Sequence, residues 1–183
     1  MKKDSTPKET RGHPVSESLL EKNSHLSEFL PFLDQLNKES ERGAVLISAA
    51  YIDDQLAQVL EAYLLEAEES KDLIIGFNAP LGTFSARAMA CLSLGVVGRN
   101  EFNDCQIIRK IRNEFAHSTK ACFADRKIID LCANLHFSAK SYDDVVVSPH
   151  GQFTTAAASL ILSLTNRPHY VSRERLSLKS WQY

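Results

Sequence analysis

An all-α fold, a single-domain bundle of about six helices with flexible N- and C-terminal ends, is what this sequence predicts. Three observations carry that expectation. Apolar residues recur at steps of three, four and seven in segment after segment, the spacing that lines one face of a helix. The one strand-like piece, Val145-Val146-Val147, has no second strand to pair with, and one strand does not make a sheet. The chain of 183 residues is long enough for one domain whose core needs no staple.

Residues 1–15 are polar, with Pro7, Gly12 and Pro14, and hold almost nothing to bury, so a disordered start is expected. The folded domain is expected over 16–166. From Ser16 the pattern is helical, with Leu19, Leu26, Phe29, Leu30, Leu33 and Leu36 on one broad face; Pro31 inside it should kink or split the helix. The next helix, Glu41 to Glu66, carries two apolar stripes, Val45, Ile52, Leu56, Val59 and Tyr63 on one and Leu46, Ala50, Ala57 and Leu64 on the other. A helix apolar on two sides belongs at the centre. Asp53 projects between those stripes and is costly there unless paired, whereas Asp54 faces water. Leu73 to Phe77 reads as a short apolar piece.

Pro80 suits the first turn of a following helix over Ala86 to Leu94, with Gly95 as its stop. Asn100 is placed to cap a helix running to Ser118, and Asp125 to cap another through Leu135, with Ile128, Ile129, Leu131 and Cys132 inward. The text from Phe137 to Gln152 is irregular. A last helix is expected over Phe153 to Thr165. The segment 167–183, four basic residues against the single acid Glu174, is expected to be a mobile basic tail.

Composition narrows function by exclusion. Twenty-one basic against 23 acidic residues give a net charge of −2, unlike a protein that coats nucleic acid through bulk electrostatics. The four cysteines, Cys91, Cys105, Cys122 and Cys132, form no Cys-x-x-Cys pair and have no histidine at zinc spacing, so no metal or other cofactor is expected. Cys91, Cys105 and Cys132 sit among apolar residues and read as reduced core thiols. The charged first residues lack the apolar run of a signal peptide, and no segment approaches a membrane span; a cytoplasmic protein is expected.

The densest polar chemistry lies in Ile107 to Ser118, Ile-Ile-Arg-Lys-Ile-Arg-Asn-Glu-Phe-Ala-His-Ser. On a helix Ile107, Ile108, Ile111 and Phe115 make the core face. Arg112 falls at its edge, while Asn113 and His117, four apart, share the opposite side. Arg112 and His117 are then about 140° apart, too far round a straight helix to form one compact site in one chain. A half-buried Arg112 needs an acceptor, and Asp53 is the first candidate. His117, at the helix end, is where the helix dipole favours its protonated form. Arg109, Lys110 and Arg112 form the one basic cluster. No pair of short helices with a basic recognition face is visible, so direct DNA binding is not expected.

Four blocks, Glu41-Arg42-Gly43-Ala44-Val45-Leu46, Gly76-Phe77-Asn78-Ala79-Pro80-Leu81, Thr83-Phe84-Ser85-Ala86-Arg87 and Ile108 through His117, together resemble the mannitol operon repressor family, over about residues 25 to 165. Gly82 stands where that pattern has serine. The resemblance implies an all-helical bacterial regulator of mannitol uptake and catabolism genes, without a recognised DNA-binding module. Repression would then pass through a protein partner, one in the sugar phosphotransferase system. A looser resemblance is to the HEPN superfamily, whose signature Arg112-Asn113-Glu114-Phe115-Ala116-His117 fits. Active members resemble metal-independent RNases. In them the histidine serves as general acid or base and the arginine stabilises charge on phosphate. Two copies of the motif meet at a homodimer interface. Three readings follow: a non-enzymatic regulator whose Arg112, Asn113, His117, Arg109 and Asp53 hold the fold or an interface; an RNase with Arg112, Asn113 and His117 in its site; or a regulator switched by a sugar phosphate or other anion.

Overall fold

The second helix organises the bundle through one of its two expected apolar stripes. Val45, Ile52, Leu56 and Val59 are fully buried, whereas in the other stripe Leu46 and Ala50 are exposed and Ala57 and Leu64 only half-buried. The structure, a computed structural model, describes residues 24–182. The expected disordered start and the part of the expected first helix from Ser16 to Asn23, Leu19 included, lie outside the described residues. Among those described are seven α-helices: α1 (Ser24–Lys38), α2 (Glu41–Tyr63), α3 (Glu68–Ile74), α4 (Phe84–Ser93), α5 (Arg99–His117), α6 (Arg126–Ala133) and α7 (Pro149–Val171). No β-strand forms among them; Tyr142 and Val145 make an isolated bridge, and the valines 145 and 146 point to solvent.

Ser40 caps α2, its hydroxyl accepting from Gly43 N at 3.1 Å. From there Val45, Ile52, Leu56, Val59 and Leu60 are fully buried. The most extensive packing in the molecule is α2 against α7, and α4 and α5 cover α2 from another side. The α7 face brings Ala156 and Ala157 beside Leu160, Ile161 and Leu164, all fully buried. Small residues at such a contact let two helix axes approach closely.

Several boundaries differ from the sequence expectation, each for a local reason. α1 runs through Pro31 unsplit, because Phe29, Phe32 and Leu36, on both sides of the proline, are buried and hold the helix against the bundle. α2 stops at Tyr63, short of Glu66, and a separate α3 follows. Its first turn carries Glu68 and Glu69, which the dipole favours, and Gly76 at φ +126° ends it. Pro80 lies in the turn before α4 and outside its first turn; Thr83 supplies the cap, accepting from Ala86 N at 3.2 Å. Gly82 fits its turn tightly, since a Cβ there would meet the Ala79 carbonyl oxygen at 2.9 Å. Gly95, at φ +74°, ends α4 as expected.

The N-cap of α5 is Gly98, not Asn100, with Glu101 Oε2 accepting from Gly98 N at 2.6 Å. Asp125 stands at the N-cap of α6 but bonds Cys122 N at 3.1 Å. The largest correction concerns the C-terminal end. Ser148 and Pro149 start α7 early, and it continues through Pro168 to Val171, followed by a 3-10 turn at Ser172–Glu174. Much of the segment expected to be a mobile tail is tied down. Arg167 pairs with Glu101, Arg175 reaches Ala62 O at 3.0 Å, and Leu176 N donates to Tyr63 O at 2.8 Å. No helix among the described residues is long and apolar enough to cross a membrane.

Candidate functional site

The candidate residues sit on α5 and the part of α2 that faces it. α5 exists as a helix because its Ile108, Ile111 and Phe115 are fully buried, and this fixes where every polar residue between them points. Arg112 comes out half-buried, as its position at the edge of the core requires. Its expected partner is taken. Asp53 Oδ1 lies 3.0 Å from Nη1 of Arg87, on α4, with side chains 28% and 12% exposed. Arg112 acts on Asp53 at longer range and makes no side-chain hydrogen bond among the described residues. The expected Asp53–Arg112 pair is therefore replaced by Asp53–Arg87. A helical wheel gives a side chain's direction on its own helix. It does not say which neighbouring helix brings a guanidinium closest.

Burial pushes the Asp53 carboxyl above its ordinary 3.8. Arg87 opposes this by charge and hydrogen bond, Asp54 adds to it, and Arg112 opposes it least. Arg87 has further work: its Nε donates to Leu81 O at 3.0 Å and its Nη2 to Ile74 O at 3.1 Å, so one guanidinium holds both ends of the α3–α4 loop against α2.

The remaining motif residues divide. Arg109 turns back along its own helix, donating from Nε and Nη2 to Gln106 Oε1 at 3.2 and 3.1 Å. Asn113 is half-buried and His117 exposed. Neither makes a side-chain hydrogen bond among the described residues, although their spacing allows one to the other. Within one chain, the structure brings Arg112 within range of Asp53 on α2 and leaves His117 at the exposed end of α5. It does not assemble them into one acid–base and phosphate-binding centre. No cluster of three or more His, Cys, Asp or Glu that could hold a metal occurs among the described residues.

Sequence reasoning missed Arg42. From the first turn of α2 it crosses to the C-terminus of α5, donating from Nη1 to Phe115 O and from Nη2 to Ser118 O at 2.8 Å, with its guanidinium 5.8 Å from the Phe115 ring centroid. A signal was present. A cation in a helix's first turn is opposed by that helix's dipole and needs a better anion, which the open carbonyls at another helix's C-terminus supply. Glu114 is held beside it by Lys127 at 2.6 Å. The histidine end of the motif is therefore stapled through its backbone, while its side chain is exposed.

The comparisons with known proteins agree with this architecture. No family model matches the chain. In sequence it is 24% identical over 155 residues to the mannitol operon repressor of Escherichia coli strain K12, covering 80% of this chain and 75% of the repressor. The same identity and coverage hold for the mannitol operon repressor of Escherichia coli O6:H1. In fold it matches a chain of the X-ray structure of the MtlR–HPr complex from Escherichia coli, with a TM-score of 0.56 and 22% identity, covering 82% of this chain and 99% of that one. In both sequence and fold, then, the chain is similar to the mannitol operon repressor family, the resemblance its motif blocks carry.

Proposed function

We propose that this protein represses genes of mannitol uptake and catabolism by binding a protein of the sugar phosphotransferase system, in the cytoplasm, without reading DNA itself. One observation carries the reading: a sequence match to mannitol operon repressors over four-fifths of the chain, on a fold shared with a chain of the MtlR–HPr complex. The surface chemistry supports it. A groove-reading helix needs several free basic side chains on one face. Here Arg109 is engaged with Gln106, Arg112 is half-buried, and Lys110 alone of the cluster is fully outward. The direct test is titration calorimetry of the full-length chain with purified HPr, beside an operator-fragment shift at physiological salt. Binding of HPr without a shift is expected. A sequence-specific shift at nanomolar protein would show that the chain reads DNA itself.

A second reading rests on a specific observation: Arg112, Asn113 and His117, in the last turns of α5, make no side-chain hydrogen bond among the described residues. Such groups suit a seam between two copies, where they could act on an RNA phosphate or hold a sugar phosphate. Cleavage of RNA in EDTA by the wild type, lost in His117→Ala, supports the RNase form. Equal behaviour of the two proteins removes it.

A further inference from the structure

Between α3 and α4 the chain turns outward and presents Ile75 and Phe77 to solvent, the phenylalanine 98% exposed. A single exposed apolar residue is ordinary, but this one is held in place. Leu81 N donates to Leu73 O at 2.7 Å across the base of the loop, Gly82 N donates to Ala79 O at 2.9 Å, and Arg87 grips Ile74 O and Leu81 O from beneath. Gly76 and Asn78 adopt φ of +126° and +59°, left-handed backbone that glycine and asparagine accept most readily. The loop is built to hold Phe77 out.

α3 extends the same surface. At about 100° per residue Glu69 and Leu73, four apart, share one outward face, while Ile74 turns inward and is buried. Leu73 is exposed, and beside it opens a groove lined by Leu65, Glu66, Ala67, Glu69, Ser70 and Leu178. An apolar line thus runs from the groove through Leu73 to Ile75 and Phe77. Its border is acidic. Lys71 is paired with Glu68 at 3.4 Å and Arg175 with Glu66 at 3.3 Å, leaving Glu69 and Asp72 without a cation among the described residues.

We propose that this surface, from the groove to Phe77, is where the protein partner docks, and that the partner offers an apolar depression ringed by lysine and arginine. The inference rests on the partner-mediated function above and names the face that serves it. Charge complementarity selects that chemistry: uncompensated carboxylates steer and register a basic rim and repel an acidic protein or a nucleic acid. A pinned aromatic anchor fills a pocket at little cost in lost freedom.

The test uses the full-length chain, purified HPr as probe, and a reporter of the repressed operon in cells. Phe77→Ser and the double variant Glu69→Lys/Asp72→Lys are compared with Lys110→Glu on α5. Each surface variant is expected to weaken HPr binding at least tenfold with an unchanged melting temperature, while Lys110→Glu binds as the wild type does. Equal binding by all four proteins overturns the docking surface and leaves the HPr reading standing. Failure of the wild type to bind HPr overturns that choice of partner, and the reporter then decides the surface. Relief of repression by Phe77→Ser, at unchanged protein level and melting temperature, supports it; full repression by both surface variants overturns it. A dimer in light scattering that Phe77→Ser dissolves assigns the surface to a second copy and overturns the partner proposed.

Discussion

The two ends of α5 are built in opposite ways. At the N-terminal end both buried carboxylates, Glu101 and Asp104, have partners. Glu101 caps Gly98 and receives Arg167 on both oxygens, at 2.6 and 3.2 Å, and Arg167 also donates to Val96 O at 2.7 Å. One turn on, the fully buried Asp104 accepts from His136 N at 2.8 Å and Phe137 N at 3.0 Å, fixing the chain after α6. At the C-terminal end the backbone is held by Arg42, but the side chains of Arg112, Asn113 and His117 make no hydrogen bond among the described residues. Groups that build a fold are satisfied inside it, since an unpaired buried polar group costs stability. Groups left open at the rim are the ones a second molecule can use.

That contrast can be broken, most forcefully at Arg167. Arg167→Met strands the buried Glu101 carboxylate, so a loss of about 3 kcal/mol is expected, roughly 10 °C in melting temperature. Calorimetry showing a loss near zero would mean that the N-terminal end does not depend on its pairing. Arg42→Met should cost about 1.5 kcal/mol, because the carbonyls it leaves can turn to water. Arg112→Met is expected to cost less than about 1 kcal/mol, since no close carboxylate is abandoned. If it melts as low as Arg167→Met, the two ends are alike and the motif is structural.

The subtlest effect is a titration. Asp53 should protonate above 3.8 when followed by carboxyl NMR, because burial favours its neutral form. A raised value means the fold binds this proton more tightly than the unfolded chain does. The stability it contributes is therefore fully present below 3.8 and is lost as pH rises through the folded value. Arg87→Met should push the midpoint higher, and Arg112→Met should push it less. The reverse order would restore Arg112 as the partner of Asp53.

Much of the fold was legible because local pattern and tertiary role coincide. The buried stripe of α2, the core face of α5 and the buried thiols all follow from periodicity, whereas the second apolar stripe of α2 meets no full cover, with Leu46 and Ala50 exposed. Burial raises Cys91 and Cys132 to about 12 and Cys105 still further, as inert core sulfurs require. What escaped the sequence was pairing at a distance. Arg167 read as tail charge because nothing near it in sequence says that Glu101 waits 66 residues earlier. Arg87 carried no pairing signal because its target, Asp53, lies on another helix. At the candidate site, periodicity placed Arg112 and His117 on different sides correctly, but it could not show that both would be left open.

The pairing of α2 with α7 also shapes how the molecule is made. Part of the buried face of α2 is covered by α4 and α5, which leave the ribosome soon after it. The face that meets α7 waits for residues 149–171. At typical synthesis rates that gap lasts on the order of ten seconds. Throughout it, a long apolar helix is half clothed. The protein is thus expected to complete its core after most of the chain has been translated, and to depend on chaperones most at the moment just before its last helix emerges.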